Sequence, residues 1–194
     1  MKEKEKMEQG LLYDANYDDG LLKDRISCKE QCFQYNQLRP SQIEEQEQLI
    51  RSLFKKTGNS FCITAPFWCD YGYHIEIGEN FCTNHNCVIL DGAKVTFGDN
   101  VFIGPNCVFS TAGHPLDVEQ RNQGLEYAYP ISVGNNVWIG MGVLVLPGVN
   151  IGNNSIIGAG SVVTKDISEG VIAVGNPCRI LRKVTDEDKK KYWK

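Results

Sequence analysis

From Val133 onward the chain repeats with a period of six: VGNNVW, IGMGVL, VLPGVN, IGNNSI, IGAGSV, VTKDIS. Val133, Ile139, Val145, Ile151, Ile157 and Val163 open these hexads, Gly follows four of the six, and Val or Ser recurs at the fifth position. The frame also runs upstream, through Ile77, Thr83 and Ile89 and then, after a step of eight, through Phe97, Ile103 and Phe109. An α-helix repeats its apolar positions at three and four and a half-buried strand at two, so a period of six excludes both as the repeating unit. It fits a solenoid in which each hexad supplies a short strand and a turn, one aliphatic side chain points inward, and Gly or Asn takes turn positions with positive φ.

The expected organisation has three parts. Stacked coils leave strand edges at both ends that must be covered, and residues 1–60 read as a helical cap. Ser41 is a candidate N-cap with Glu44 three residues on, which predicts a helix over about 41–57. A second helix is expected over Gly20–Gln37 with Leu21, Leu22, Ile26 and Phe33 as its apolar face. Residues 61–178 form the solenoid, interrupted by a loop at about 110–130, and 179–194 form a basic tail that ends in a helical turn.

Charge follows the same division. The net charge of −4 conceals a middle section (61–178) at −7 and a last segment (179–194) at +4, and 16 of the 19 glycines lie between Gly72 and Gly175. The acidic balance argues against a nucleic-acid partner. The longest apolar stretch, Val143–Val149, is broken by Pro147 and Gly148 and falls far short of the about 20 residues a membrane span needs. MKEKEKMEQG contains no secretory leader, so a cytoplasmic location is expected. The eight cysteines include no CxxC, and neither Cys28 with Cys32 nor Cys82 with Cys87 is accompanied by the histidines usual at structural zinc; they read as buried small residues, with no metal expected.

Between Phe109 and Val133 the frame is lost in STAGHPLDVEQRNQGLEYAYP. Loops on rigid scaffolds commonly carry function, and His114 near the base of this one is of a type that accepts protons near neutral pH. Its alternative reading is a solvated or locally hydrogen-bonded side chain.

The segments LLYDANYDDGLLKDR, FWCDYGYHIEIGENF, NHNCVILD, TAGHP, ISVGNNVWIG, GAGSVVTKDI and GNPCRILRK together resemble the maltose and galactoside O-acetyltransferase family of hexapeptide-repeat acyltransferases, from about Gly10 to Lys183. The resemblance implies a mainly β fold, a left-handed parallel β-helix with three hexads per triangular coil, and a homotrimer with its sites between neighbouring solenoids. It implies acetyl-CoA as co-substrate, a sugar acceptor, and direct transfer with His114 as general base. Asn84 matches a position beside that histidine and the acceptor sugar; Asp70, Asp91, Glu126 and, with Tyr13, Asp14 match or lie near acceptor contacts. On the donor side the matching positions are Trp138, Gly140, Ala159, Thr164, Lys165, Arg179 and Arg182, with Gly158, Gly160 and Lys183 nearby. Met141 departs from the small residue usual near the donor channel. Most of these residues also have structural readings: a turn Asn, solvated loop acids, a Trp covering a strand edge, a basic surface tail. Three rival functions share the fold: a xenobiotic acetyltransferase, a zinc-dependent carbonic anhydrase needing a three-histidine site that His74, His85 and His114 do not space correctly, and a non-enzymatic assembly scaffold.

Overall fold

The computed structural model describes residues 1–192. The repeats form a parallel solenoid with three faces. The first face stacks Phe61–Ile63, Phe81–Thr83, Phe102–Ile103, Trp138–Ile139, Ile156–Ile157 and Val171–Val174. The second stacks Phe67–Cys69, Cys87–Leu90, Val108–Ser110, Leu144–Val145 and Val162–Val163. The third stacks Ile75–Ile77, Val95–Phe97, Ile131–Val133 and Asn150–Ile151.

Every hexad-opening residue from Val133 to Val163 is buried, as expected, but so is the fifth position: Val137, Val143, Val149, Ser155, Ser161 and Ile167. Each hexad therefore sends two side chains inward. The buried serines are satisfied by backbone carbonyls, Ser155 Oγ donating to Ser168 O and Ser161 Oγ to Gly158 O, which removes the cost of burying a hydroxyl. At the corner between the third and first faces, Asn80, Asn100, Asn136 and Asn154 all have positive φ, and the side-chain amides of the first three each donate to the Asn one coil further on. Asn tolerates this backbone better than other residues with a Cβ, so one residue type both turns the chain and ties the coils.

The outer surfaces differ sharply. The third face presents Glu76, Thr96, Ser132 and Asn150 in register. The first presents Cys62, Cys82, Phe102, Trp138, Ile156 and Ile172, and the second Trp68, Val88, Val108, Leu144 and Val162. Two faces are thus apolar outside as well as inside.

The cap consists of α1 (Glu3–Glu8), α2 (Asp19–Gln37) and α3 (Ile43–Leu53). Several expectations are corrected here. α3 is shorter than 41–57, and its N-cap is Gln42, with no side-chain cap bond, rather than Ser41. α2 buries Leu21, Cys28, Cys32 and Tyr35, whereas Ile26 and Phe33 are exposed. Its inward stripe of Cys and Tyr has the i, i+4, i+7 spacing of a packed face without strongly hydrophobic letters. α1, which buries Met7, was not expected. Asn36 on α2 accepts from Phe67 N at 2.8 Å and donates to Phe67 O at 3.0 Å, pairing an otherwise open strand edge. At the other end Arg179–Lys183 is not a loose tail but a strand, folded antiparallel onto Val171–Val174, followed by a 3₁₀ turn over Asp186–Lys190. Lys194 of the basic segment lies outside the described residues. Among the described residues no helix is long and apolar enough to cross a membrane.

Candidate active site

The loop leaves the solenoid after the second face and returns at the third. It folds as a strand at Ala112–Gly113, a short helix α4 (Val118–Asn122) and a strand at Leu125–Ala128. Leu125–Ala128 pairs antiparallel with Ala112–Gly113 on one side and with Tyr13–Asp14 on the other. This small sheet joins the N-terminal segment to the loop and places Tyr13, Asp14, Gly113 and Glu126 around His114. A Cβ at Gly113 would press on the Tyr127 ring, which would have to shift. Beneath lies a second small core of Met7, Tyr13, Ala15, Leu21, Tyr71, Ala93 and Ala128.

His114 Nδ1 lies 2.9 Å from the Leu125 carbonyl oxygen. A carbonyl only accepts, so Nδ1 carries the proton and Nε2 of the neutral ring presents its lone pair. The side chain is half-exposed, and its Nε2 faces Glu126 Oε1 at 3.9 Å. Glu126 Oε2 accepts from the Tyr13 hydroxyl at 3.2 Å, and burial pushes the Glu126 carboxyl above its ordinary range. Burial likewise raises Asp70, opposed by the nearby charges of Arg25 and Lys29. Arg25 on α2 donates to Ala15 O at 2.5 Å and lies 3.5 Å from the Tyr71 hydroxyl. Arg25 and Tyr71 were not singled out by the sequence, because only the docking of α2 brings them to this pocket. Asp14 Oδ1 accepts from the backbone of Asn16 and Tyr17, which shapes the turn beside the small sheet.

Asp91 departs from its expected place in an acceptor pocket. It is fully buried, and its carboxylate accepts from the backbone N–H groups of Asp70 and Tyr71, at 3.0 and 2.9 Å. It holds the turn that carries Asp70 and offers no accessible atom within this chain. Burial pushes its carboxyl up to about 7. A raised folded-state value means the folded form binds the proton more tightly than the unfolded one, so this contribution is complete below about pH 4 and is lost as pH rises through 7. We expect Asp91→Asn, which keeps the acceptor oxygen, to gain thermal stability relative to the parent as pH is raised from 5 to 8. Over that range the shift sets an upper bound of about 3 kcal/mol; parallel pH–stability curves for the two proteins would contradict it.

The other candidates lie elsewhere. Asn84 stands at the corner between the first and second faces, one full face away from the His114 corner. There Asn84, Gly104, Gly140 and Gly158 stack through successive backbone bonds, each N–H donating to the carbonyl one coil on. The result is a strip with almost no side chains. Met141 and Ala159 follow on it, both exposed, and Trp138 stands beside it at 54% exposure. Thr164 and Lys165 are exposed at the next corner. Arg179 is exposed and donates to the neighbouring Cys178 carbonyl, but Arg182 makes a bidentate pair with Asp188, at 2.8 and 2.7 Å, and is not a free cation. One chain therefore gathers His114, Glu126, Asp70, Asp14 and Arg25, and leaves Asn84, Trp138, Gly140 and Ala159 on a separate strip, with Thr164 and Lys165 further along the His114 corner.

The maltose acetyltransferase hexapeptide capping motif matches residues 6–58, and the bacterial transferase hexapeptide repeat matches 130–165. The galactoside O-acetyltransferase of Escherichia coli is 44% identical over 190 residues, which is 98% of this chain and 93% of that one. The chain belongs to the maltose and galactoside O-acetyltransferase family. The crystal structure of a maltose O-acetyltransferase from Clostridium difficile superposes with a TM-score of 0.94 at 47% identity, covering 96% of this chain and 99% of that one. A galactoside acetyltransferase in complex with coenzyme A gives 0.95 at 44% identity, covering 100% and 96%. As a member of this family the chain is an acyltransferase.

Proposed function

We propose that the enzyme transfers an acetyl group from acetyl-CoA to a hydroxyl of a sugar, with His114 as general base. The observation that carries this reading is the His114 ring, oriented by Leu125 O so that Nε2 faces Glu126, beside two half-buried carboxylates, Glu126 and Asp70. A sugar hydroxyl attacks the thioester carbonyl carbon while its proton passes to Nε2. The tetrahedral intermediate collapses with cleavage of the carbon–sulfur bond, and the departing coenzyme A thiolate takes the proton back. No acyl-enzyme forms. Such a base contributes on the order of 10²–10⁴-fold, and holding both substrates in line contributes much of the rest. Glu126, Asp70 and Asp14 accept hydrogen bonds from the acceptor's hydroxyls, and Asp91 positions Asp70.

The donor lies along the strip of Asn84, Gly104, Gly140 and Gly158, where absent side chains let an extended pantetheine arm reach backbone groups. Trp138 flanks it, Ala159 and Met141 line it, and Thr164 and Lys165 at the next corner, with Arg179, meet the donor's phosphate end; Arg182 joins them only on leaving Asp188. The strip and His114 stand on different corners, so the site is completed between copies of the chain. The two apolar outer faces support a homotrimer in which a corner of one copy fits beside the His114 loop of the next. Eight free cysteines fit a reducing compartment such as the cytoplasm.

A screen of coenzyme A release over a panel of pyranosides and hydroxylated antibiotics tests this reading. Turnover with at least one sugar is expected. Turnover confined to antibiotics would assign the enzyme to the xenobiotic class, and acetyl-CoA binding with no acceptor at all would refute sugar acetylation.

A further inference from the structure

Helix α2 and the first coil bring three thiols together. Cys28 and Cys32, one turn apart on α2, face Cys69 at the end of Phe67–Cys69, with Cys28 Sγ 3.5 Å and Cys32 Sγ 3.8 Å from Cys69 Sγ. All three are buried, at 1%, 0% and 4% exposure, and the sulfur atoms lie within 4.8 Å of one another. The sequence places these residues 37 and 41 positions apart, which is why spacing alone reads them as separate small core residues. Chemistry of the active site does not use them.

We propose that Cys28, Cys32 and Cys69 form a three-thiolate binding site for a soft monovalent cation, copper(I), which ties the cap to the solenoid. Three sulfurs in one plane around a cation, at a metal–thiolate bond of about 2.3 Å, stand about 4.0 Å apart. The two separations to Cys69, 3.5 and 3.8 Å, are within a few tenths of an ångström of that spacing. Among the described residues no fourth His, Cys, Asp or Glu joins the group, whereas structural zinc sites are almost always four-coordinate. Thiolate sulfur selects copper(I) over the harder divalent ions. Binding as thiolates, the three sulfurs give up their protons when the cation enters. Because one ligand set spans α2 and the first coil, a cation bound to the folded form alone stabilises the junction by mass action.

The test titrates the fully reduced, full-length protein anaerobically with copper(I) held by a chromophoric chelator. One copper(I) per chain is expected, with three sulfur neighbours by X-ray absorption and a higher thermal midpoint. Cys32→Ser should weaken binding by about 100-fold or more, beyond what loss of an outer-shell partner costs. Cys62→Ser with Cys82→Ser, which removes the neighbouring pair on the outer first face, should bind as the parent does. No stoichiometric uptake, copper lost in the Cys62/Cys82 variant, or a tightly held zinc that copper(I) does not displace would overturn the proposal. Should Cys32→Ser fail to fold, the sulfur count around copper in the parent decides: three supports the site and fewer refutes it.

Discussion

Replacing His114 by alanine is expected to lower kcat for acetyl transfer by about 10²-fold or more while leaving acetyl-CoA affinity nearly intact. The two halves of this expectation come from different parts of the structure. Loss of the imidazole removes the one group whose unprotonated nitrogen faces the pocket of Glu126 and Asp70, so the attacking hydroxyl must lose its proton to water. The proposed donor strip, by contrast, lies at the opposite edge of the second face, and its Asn84, Gly140 and Gly158 make no side-chain contact with the loop that His114 sits on. A kcat within a factor of about three of the parent would remove His114 from the chemistry. A large rise in the dissociation constant for acetyl-CoA would instead mean that the ring holds the donor rather than the acceptor's proton.

The largest stability effect is expected at Phe97. Its ring lies 5.0 Å from Phe81 and 5.0 Å from Phe109, at the centre of a column of three aromatic side chains inside the solenoid. The flanking coils are fixed by backbone bonds and by the Asn ladder, so they cannot collapse into the space a smaller residue leaves. Phe97→Ala should cost about 3–5 kcal/mol, read as a lowered urea midpoint with an unchanged slope. A loss below about 1 kcal/mol would mean that the interior relaxes freely and that the coils are less tightly registered than their hydrogen bonds imply.

The solenoid was legible because its six-residue period is a direct image of its geometry: each aliphatic position must meet the one a coil away, so the pattern cannot drift. Helices α2 and α3 were legible in existence but less so in detail, and α1 was not legible. α2 packs through Cys28, Cys32 and Tyr35, residues that weigh little in a hydropathy reading beside the exposed Ile26 and Phe33. The candidate pocket was marked by the lost frame around His114, and the resemblance pointed to Glu126 and Asp14, which the small loop sheet brings beside it. It was not legible at Arg25 and Tyr71, which reach the pocket only through the docking of α2. Nor could sequence separate Asp91, which is spent on backbone N–H groups, from Asp70, which is not. Arg182 shows the same limit in a charge count: the positive terminal segment contains its own acids, and Asp188 occupies the guanidinium.

Identifying the product tests the central claim most directly. Parent enzyme, acetyl-CoA and the best sugar from the screen should yield a sugar carrying one O-acetyl ester on a ring or hydroxymethyl oxygen, located by NMR and absent when His114→Ala is used under the same conditions. Acetate released without an acetylated sugar, or an acetyl group found on nitrogen, would contradict it.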